Sequence, residues 1–267
     1  MPHKLAVVFD VAGTILKMYR VAKDISTNRL MEKVITWKLI MEKSGRALVV
    51  PNIDPKVLVS GHPEDTVSSI FDLNDGFEIS CASTAVSKTD ALNIIFRSKV
   101  RLADIQEVYQ AVKAKCPNKY QTTGMIIDTD ISEITHTIST GGVPFSGLDD
   151  VLKSLESLGA EVYIASGDSM RSLLYLTEHG IRQDRIFPVA NPNRKQDIVR
   201  KLKNNFDIVI MVGDGLNDIY ALHASDLGVL TVQQDTEPAA ELIHAADLII
   251  ENIRELPELI KAHYNDF

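Results

Sequence analysis

The chain has 267 residues, 45% of them hydrophobic and 24% charged, with a formal charge of −8 and an isoelectric point near 5.4. That balance argues against a nucleic-acid or anionic-membrane surface, which needs a basic face, but leaves room for a local basic pocket around a phosphorylated ligand. No apolar run approaches the roughly 20 residues that span a bilayer. The N-terminus shows no signal-peptide core, and Cys81 and Cys116 make neither a metal motif nor a disulfide framework, so a cytoplasmic protein is expected.

Residues 4–9 (Lys-Leu-Ala-Val-Val-Phe) read as a buried strand that ends in Asp10, with the turn Gly13-Thr14 close behind. Residues 24–43 place Ile25, Leu30, Val34, Trp37, Ile40 and Met41 near a helical period. They predict one helix stopped by Gly45, with Trp37 on its buried stripe. Up to about 140 the spacing predicts short strands at 46–50, 56–60, 77–81, 92–96, 123–128 and 131–138, with helices at 64–72 and 101–115. Strands with few helices between them suggest an α+β unit. From Gly141-Gly142 onward strands alternate with helices. Helix 147–158, strand 161–165, helix 169–179, strand 185–190, helix 195–204 and strand 207–212 come first. Helix 218–224, strands 227–232 and 247–251 and a closing helix at 255–264 complete the chain. Such alternation means βαβ units and a parallel sheet, to which the first strand belongs. The expected architecture is an α/β core of residues 1–18 and 141–267 with an inserted α+β cap domain at 19–140. Gly141-Gly142 would be one hinge.

In open α/β sheets, functional residues sit beyond the carboxyl ends of the strands. Asp10 ends the first core strand, Ser166 the second, and Asp214 with Asp218 the fourth, while Lys195 opens the helix after the third. The set suits phosphoryl chemistry. Two or three carboxylates hold Mg²⁺, a hard ion that takes oxygen ligands and substrate phosphate. Ser166 and the Gly167 N–H, near a helix N-terminus, can hold phosphate oxygens. Lys195 offers fixed positive charge, and Asp10 is the natural nucleophile for an acyl phosphate. Asp168 is open to two readings, a nucleotide ligand or a cap for helix 169–179. Asp226 and Asp247 are expected in turns or caps.

These residues bring the chain to a known family. Asp10-Val11-Ala12-Gly13-Thr14, Ser166-Gly167-Asp168, Pro192-Asn193-Arg194-Lys195 and Gly213-Asp214-Gly215-Leu216-Asn217-Asp218 resemble, in order, the four motifs of the haloacid dehalogenase superfamily. The wording is most similar to the cytoplasmic part of P-type ATPases. The resemblance covers residues 1–18 and 141–267 and implies a Rossmann-like parallel sheet. It further implies that Asp10 is the phosphorylated nucleophile, and that Asp214, Asp218 and the Ala12 carbonyl join it around Mg²⁺. Thr14 and Ser166 would contact phosphate, and Lys195 would neutralise charge. Ser60-Gly61-His62-Pro63 resembles the Ser-x-His-Pro element with which heavy-metal pumps contact adenine, so His62 is a candidate nucleotide contact. The substrate implied is a nucleotide or a small phosphorylated metabolite.

One position departs from the pattern. Phosphomonoesterases of this superfamily carry a second Asp, the general acid and base, where this chain has Ala12. Positioned acid–base catalysis contributes about 10²–10⁴-fold, so fast phosphoenzyme turnover is disfavoured. Phosphonoacetaldehyde hydrolases also have Ala there and cleave a C–P bond with a cap lysine, for which Lys43 or Lys56 would have to serve. A non-catalytic phosphate-binding or partner-binding module is the third alternative.

Overall fold

The computed structural model describes residues 4–71, 76–117, 120–234 and 238–264. The chain forms two compact units: Met1–Met18 together with Val143–Phe267, and Tyr19–Gly142. In chain order β1 (Leu5–Phe9) is followed by β2 (Leu16–Asp24), β3 (Arg29–Glu32), α1 (Thr36–Met41), β4 (Arg46–Pro51), α2 (Pro55–Leu58) and β5 (Phe77–Ala82). Next come α3 (Lys88–Arg97), α4 (Leu102–Lys115), β6 (Gln121–Asp128), β7 (Glu133–Pro144), α5 (Leu148–Ser157), β8 (Ala160–Ala165) and α6 (Met170–Leu173). The remainder is β9 (Ile186–Phe187), α7 (Pro192–Leu202), β10 (Ile208–Gly213), α8 (Ile219–Ala224), β11 (Leu227–Thr231), α9 (Ala240–Ala245), β12 (Leu248–Ile250) and α10 (Leu256–His263). No helix among the described residues is long and apolar enough to cross a membrane.

The first unit is built on a parallel sheet in the order β12-β11-β10-β1-β8-β9. Every residue of β1, β10 and β11 is buried, as continuous apolar runs covered on both faces should be. Ala6, Val8, Val209 and Met211 pack with Ile198, Val199 and Leu202 of α7 and Leu222 of α8. Asp226 and Asp247 lie, as expected, in the turns that precede β11 and β12, and from there they bridge strands. Their carboxylates accept the Val209 and Gly228 N–H groups at 2.8 and 2.7 Å, and Asp207 accepts that of Lys4 at 2.8 Å. These bonds tie the entering end of the sheet together. At the other end Phe9 lies opposite both Ile164 and Val212, so the chain leaves three adjacent strands at one level.

The second unit is a six-stranded sheet in the order β3-β2-β7-β6-β4-β5, in which β2–β3, β4–β5, β4–β6 and β6–β7 are antiparallel. Ala47, Val49, Met125 and Ile127 pack with Ala91, Ile94 and Ile95 of α3 and with Leu102 and Ile105 of α4. Residues 24–43 are not one helix. The Asp24 carboxylate accepts the Ser26 and Thr27 N–H groups and the Ser26 hydroxyl at 2.7–3.0 Å, and Asn28 takes φ 56°. This turn reverses the chain between β2 and β3 and breaks the apolar period. Helix remains only in α1, where Trp37 is 46% exposed instead of buried.

Of the segments expected as strands, 56–58 belong to α2, with 59–60 in the turn after it, and 92–96 belong to α3. Asp54 and Ser87 cap those helices by accepting the Lys56 and Asp90 N–H groups, and the cap outweighs the β-branched composition. Within 64–72 only Val67–Ile70 turns as a 3₁₀ helix, and residue 72 lies outside the described residues. Strand 185–190 shrinks to Ile186–Phe187, and helix α9 adds an element the spacing did not predict. Gly141-Gly142, expected as a hinge, lies within β7 at the boundary of the two units, with Gly141 opposite Gln121. A Cβ at Gly141 would lie 2.7 Å from Val112 Cγ1, so the glycine permits the close approach of α4.

Candidate active site

Asp10 leaves β1 with its N–H bonded to the Val212 carbonyl at 2.9 Å, which places its carboxylate between the ends of β8 and β10. The chain then folds tightly on itself. The Val11 carbonyl accepts from the Thr14, Ile15 and Leu16 N–H groups at 3.3, 3.1 and 3.0 Å, and the Gly13 N–H donates to the Leu16 carbonyl at 2.8 Å. Gly13 has φ 90°, and a Cβ there would overlap the Asp214 carboxylate, so any side chain would displace that carboxylate.

Lys195 is delivered from below by α7. Asn191 caps this helix through the Arg194 N–H at 2.9 Å, and Pro192 stands in its first turn. The Lys195 ammonium is completely buried and donates to Asp10 at 2.5 Å and to Asp218 at 2.7 Å. Asp218 also accepts the Asp214 and Gly215 N–H groups at 3.2 and 3.1 Å, folding the turn after β10 around itself. Oxygens of Asp10, Asp214 and Asp218 all lie within 4.8 Å of one another. This all-oxygen donor set is of the kind that holds a hard divalent cation.

The charges explain the titration of the site. One buried lysine balances one buried carboxylate, and the second has no cation of its own. Burial, reinforced by Asp218 and Asp168, pushes the Asp10 carboxyl up to about 7 against the pull of Lys195. Burial alone would lower the Lys195 ammonium, but Asp10 and Asp218 outweigh it and hold it above its ordinary value.

Ser166 and Asp168 form a second element beside Asp10. Ser166 is buried; its hydroxyl donates to Asp168 at 2.9 Å and accepts the Asp168 N–H at 3.2 Å. Helix α6 is capped by Ser169 instead, which accepts the Ser172 N–H, so the capping reading of Asp168 does not hold. Gly167 is exposed, with open space beside its α-carbon. The loop after β9 backs this turn: the Val189 and Ala190 N–H groups donate to the Asp168 and Ser166 carbonyls at 2.9 and 2.8 Å. Spacing alone missed that support, although Pro188 and Pro192 mark the loop. His62 belongs to the second unit, in the loop after α2, where its Nδ1 accepts the Glu64 N–H at 3.3 Å.

Thr14 is fully buried, and its hydroxyl has no hydrogen-bond partner among the described residues. A buried polar atom left unpaired costs about 1–3 kcal/mol and calls for an explanation, such as a ligand. Thr14→Val keeps the shape and removes the orphan, so we expect the ligand-free protein to gain about 1 kcal/mol. Thermal unfolding in ligand-free buffer checks this. A loss of stability would show that the hydroxyl already has a partner.

A Rossmann-like parallel sheet with a carboxylate cluster and a buried lysine at its carboxyl edge defines a class of hydrolase. The chain belongs to the haloacid dehalogenase-like hydrolases, whose family model matches residues 5–226. It is 34% identical over 266 residues to the soluble P-type ATPase-like phosphatase of Methanocaldococcus jannaschii, covering 98% of this chain and 95% of that protein. It is 25% identical over 244 residues to a copper-transporting ATPase of Helicobacter pylori, covering 91% of this chain but 31% of the pump. Among solved structures, the catalytic domain of the CPx-ATPase CopB-B superposes with a TM-score of 0.50 at 17% identity, over 97% of this chain and 89% of that one. That last likeness concerns the fold alone.

Proposed function

We propose that the protein is a Mg²⁺-dependent phosphatase that works through an aspartyl phosphate on Asp10, with a phosphorylated small molecule or nucleotide as substrate. The observation that carries the reading is the buried Asp10–Lys195–Asp218 array with Asp214 beside it. The name of the Methanocaldococcus jannaschii relative, a phosphatase, supports it. Asp10 and Asp214 would hold the ion, while Asp218 adds charge and keeps Lys195 in place. The Ala12 carbonyl would complete the set. Bound there, the ion supplies charge against the phosphoryl oxygens.

An Asp10 oxygen attacks phosphorus, the bond from phosphorus to the substrate oxygen breaks, and the leaving group departs with a proton from water. Lys195 remains charged throughout and stabilises the negative charge shared between Asp10 and the transferring group. The Thr14 hydroxyl and the Gly167 N–H hold phosphoryl oxygens, the Ser166 hydroxyl joins them by turning its proton from Asp168 to the phosphoryl group, and water later cleaves the Asp10–phosphorus bond. The free thiols of Cys81 and Cys116 support a cytoplasmic setting. Of the two lysines that C–P cleavage could use, Lys43 is ion-paired at 2.9 Å with buried Asp128, which disfavours its use as a free amine.

The test is incubation with γ-labelled ATP, or with labelled acetyl phosphate for a non-nucleotide donor, and Mg²⁺. We expect acid-stable, hydroxylamine-labile label on Asp10. Absence of label from both donors, together with no release of phosphate from p-nitrophenyl phosphate, would remove the reading.

A further inference from the structure

Gln233 and Gln234 follow β11 and have no role in the chemistry proposed above, yet both reach the segment that carries the nucleophile. Gln233 Nε2 donates to the Thr14 carbonyl at 2.8 Å, and its Oε1 accepts the Ile253 N–H at 3.1 Å. Gln234 Oε1 accepts the Met18 N–H at 2.8 Å, and its Nε2 donates to the Met18 carbonyl at 3.2 Å. Gln234 thus pairs with Met18 as a neighbouring strand would.

The bonds inside 11–16 fix that loop on itself but not against its surroundings. Gln233 supplies an external tie. It hangs from β11, which is separated from β1 by β10, so its amide links the Thr14 peptide to an element two strands away. The Ile253 N–H fixes which end of the amide is which. With Oε1 committed to that donor, Nε2 must face the Thr14 carbonyl. The residue so tied, Thr14, is among those whose hydroxyl is buried without a partner in the described residues, and it is the one of them that follows the nucleophile. We infer that Gln233 is a positioning residue that sets the Thr14 hydroxyl for the transferring phosphoryl group, with Gln234 anchoring the outgoing strand at Met18. The inference rests on the phosphatase reading.

Gln233→Glu is the informative variant. It keeps an acceptor for Ile253 but turns a carboxylate oxygen toward the Thr14 carbonyl, replacing attraction by repulsion. Misplacing a group by about 1 Å can cost 10²-fold, so kcat for p-nitrophenyl phosphate with Mg²⁺ should fall ~10- to 100-fold while KM stays nearly unchanged. In a Thr14→Val background the same change should cost almost nothing, because the hydroxyl it positions is gone. Gln233→Met, uncharged and of similar length, repeats the measurement if Gln233→Glu does not fold. An equal loss of kcat in both backgrounds, or no loss in either, overturns the inference. A wild-type protein that releases no phosphate overturns the phosphatase reading and the clamp's role with it; an active wild type beside an indifferent Gln233→Glu overturns the clamp alone.

Discussion

Asp10→Asn is expected to lower phosphate release by at least about 10⁴-fold, the scale on which a covalent mechanism fails when its nucleophile is removed, and to abolish hydroxylamine-labile label. Its effect on stability separates this site from an ordinary surface carboxylate. In the metal-free protein burial raises the Asp10 carboxyl from 3.8 to about 7, so the folded chain binds a proton that the unfolded chain releases. The resulting stabilisation is complete below the unfolded value of 3.8 and is lost as pH rises through about 7. Unfolding in chelator should therefore show the wild type losing stability relative to Asp10→Asn between those limits. Mg²⁺ should reverse the trend, since a cation replaces the proton. Its stabilisation of the wild type should grow with pH, and that of the variant should not. Parallel stability curves for the two proteins would mean that Asp10 is not desolvated as described.

What could be read in the sequence followed from local rules. β1 and β10 are short buried apolar runs that end in Asp10 and Gly213-Asp214, and a buried parallel strand gives no other signal; β8, half-buried and carrying Glu161, ends in Ser166. Lys195 was legible as the lysine after a Pro-containing loop, although its helix starts at Pro192 and not at the expected 195. The failures have two physical sources. In β2 the periodicity was hidden by Lys23, which is buried and pairs with Asp104 and Glu107 of α4 at 2.8 and 2.6 Å, more than 80 residues away. A lysine that reads as solvated had its partners elsewhere in the chain. In α2 and α3, β-branched runs looked like strands, and the deciding groups were the single caps Asp54 and Ser87. The amide of Gln233 was beyond any reading of spacing. It binds the main chain of Thr14 across 219 residues, and a backbone carbonyl leaves no mark in a sequence.

Ala12→Asp should accelerate breakdown of the Asp10 phosphoenzyme by about 10²–10⁴-fold, the usual contribution of a positioned acid–base group, or roughly 3–5 kcal/mol of barrier. Position 12 is two residues beyond the nucleophile and only half-buried, so a carboxylate there would not have to enter the core. The wild-type loop offers no titratable side chain at that point. The carboxylates nearest the nucleophile have other duties: Asp218 is held by Lys195 and two N–H groups, and Asp168 by Ser166. An attacking water then gives up its proton without a dedicated base, and the phosphoenzyme should accumulate under Mg²⁺ and substrate. Decay of label after a chase with unlabelled substrate measures the rate directly. Ala12→Asn, of the same size but unable to take a proton, is the control and should decay like the wild type. If Ala12→Asp decays no faster than Ala12→Asn, removal of the water's proton does not limit turnover, and Ala12 has lost nothing that the surrounding groups do not replace. If only Ala12→Asp is fast, the alanine itself sets the lifetime of the phosphoenzyme, and a single carboxylate separates this active site from a rapid phosphatase.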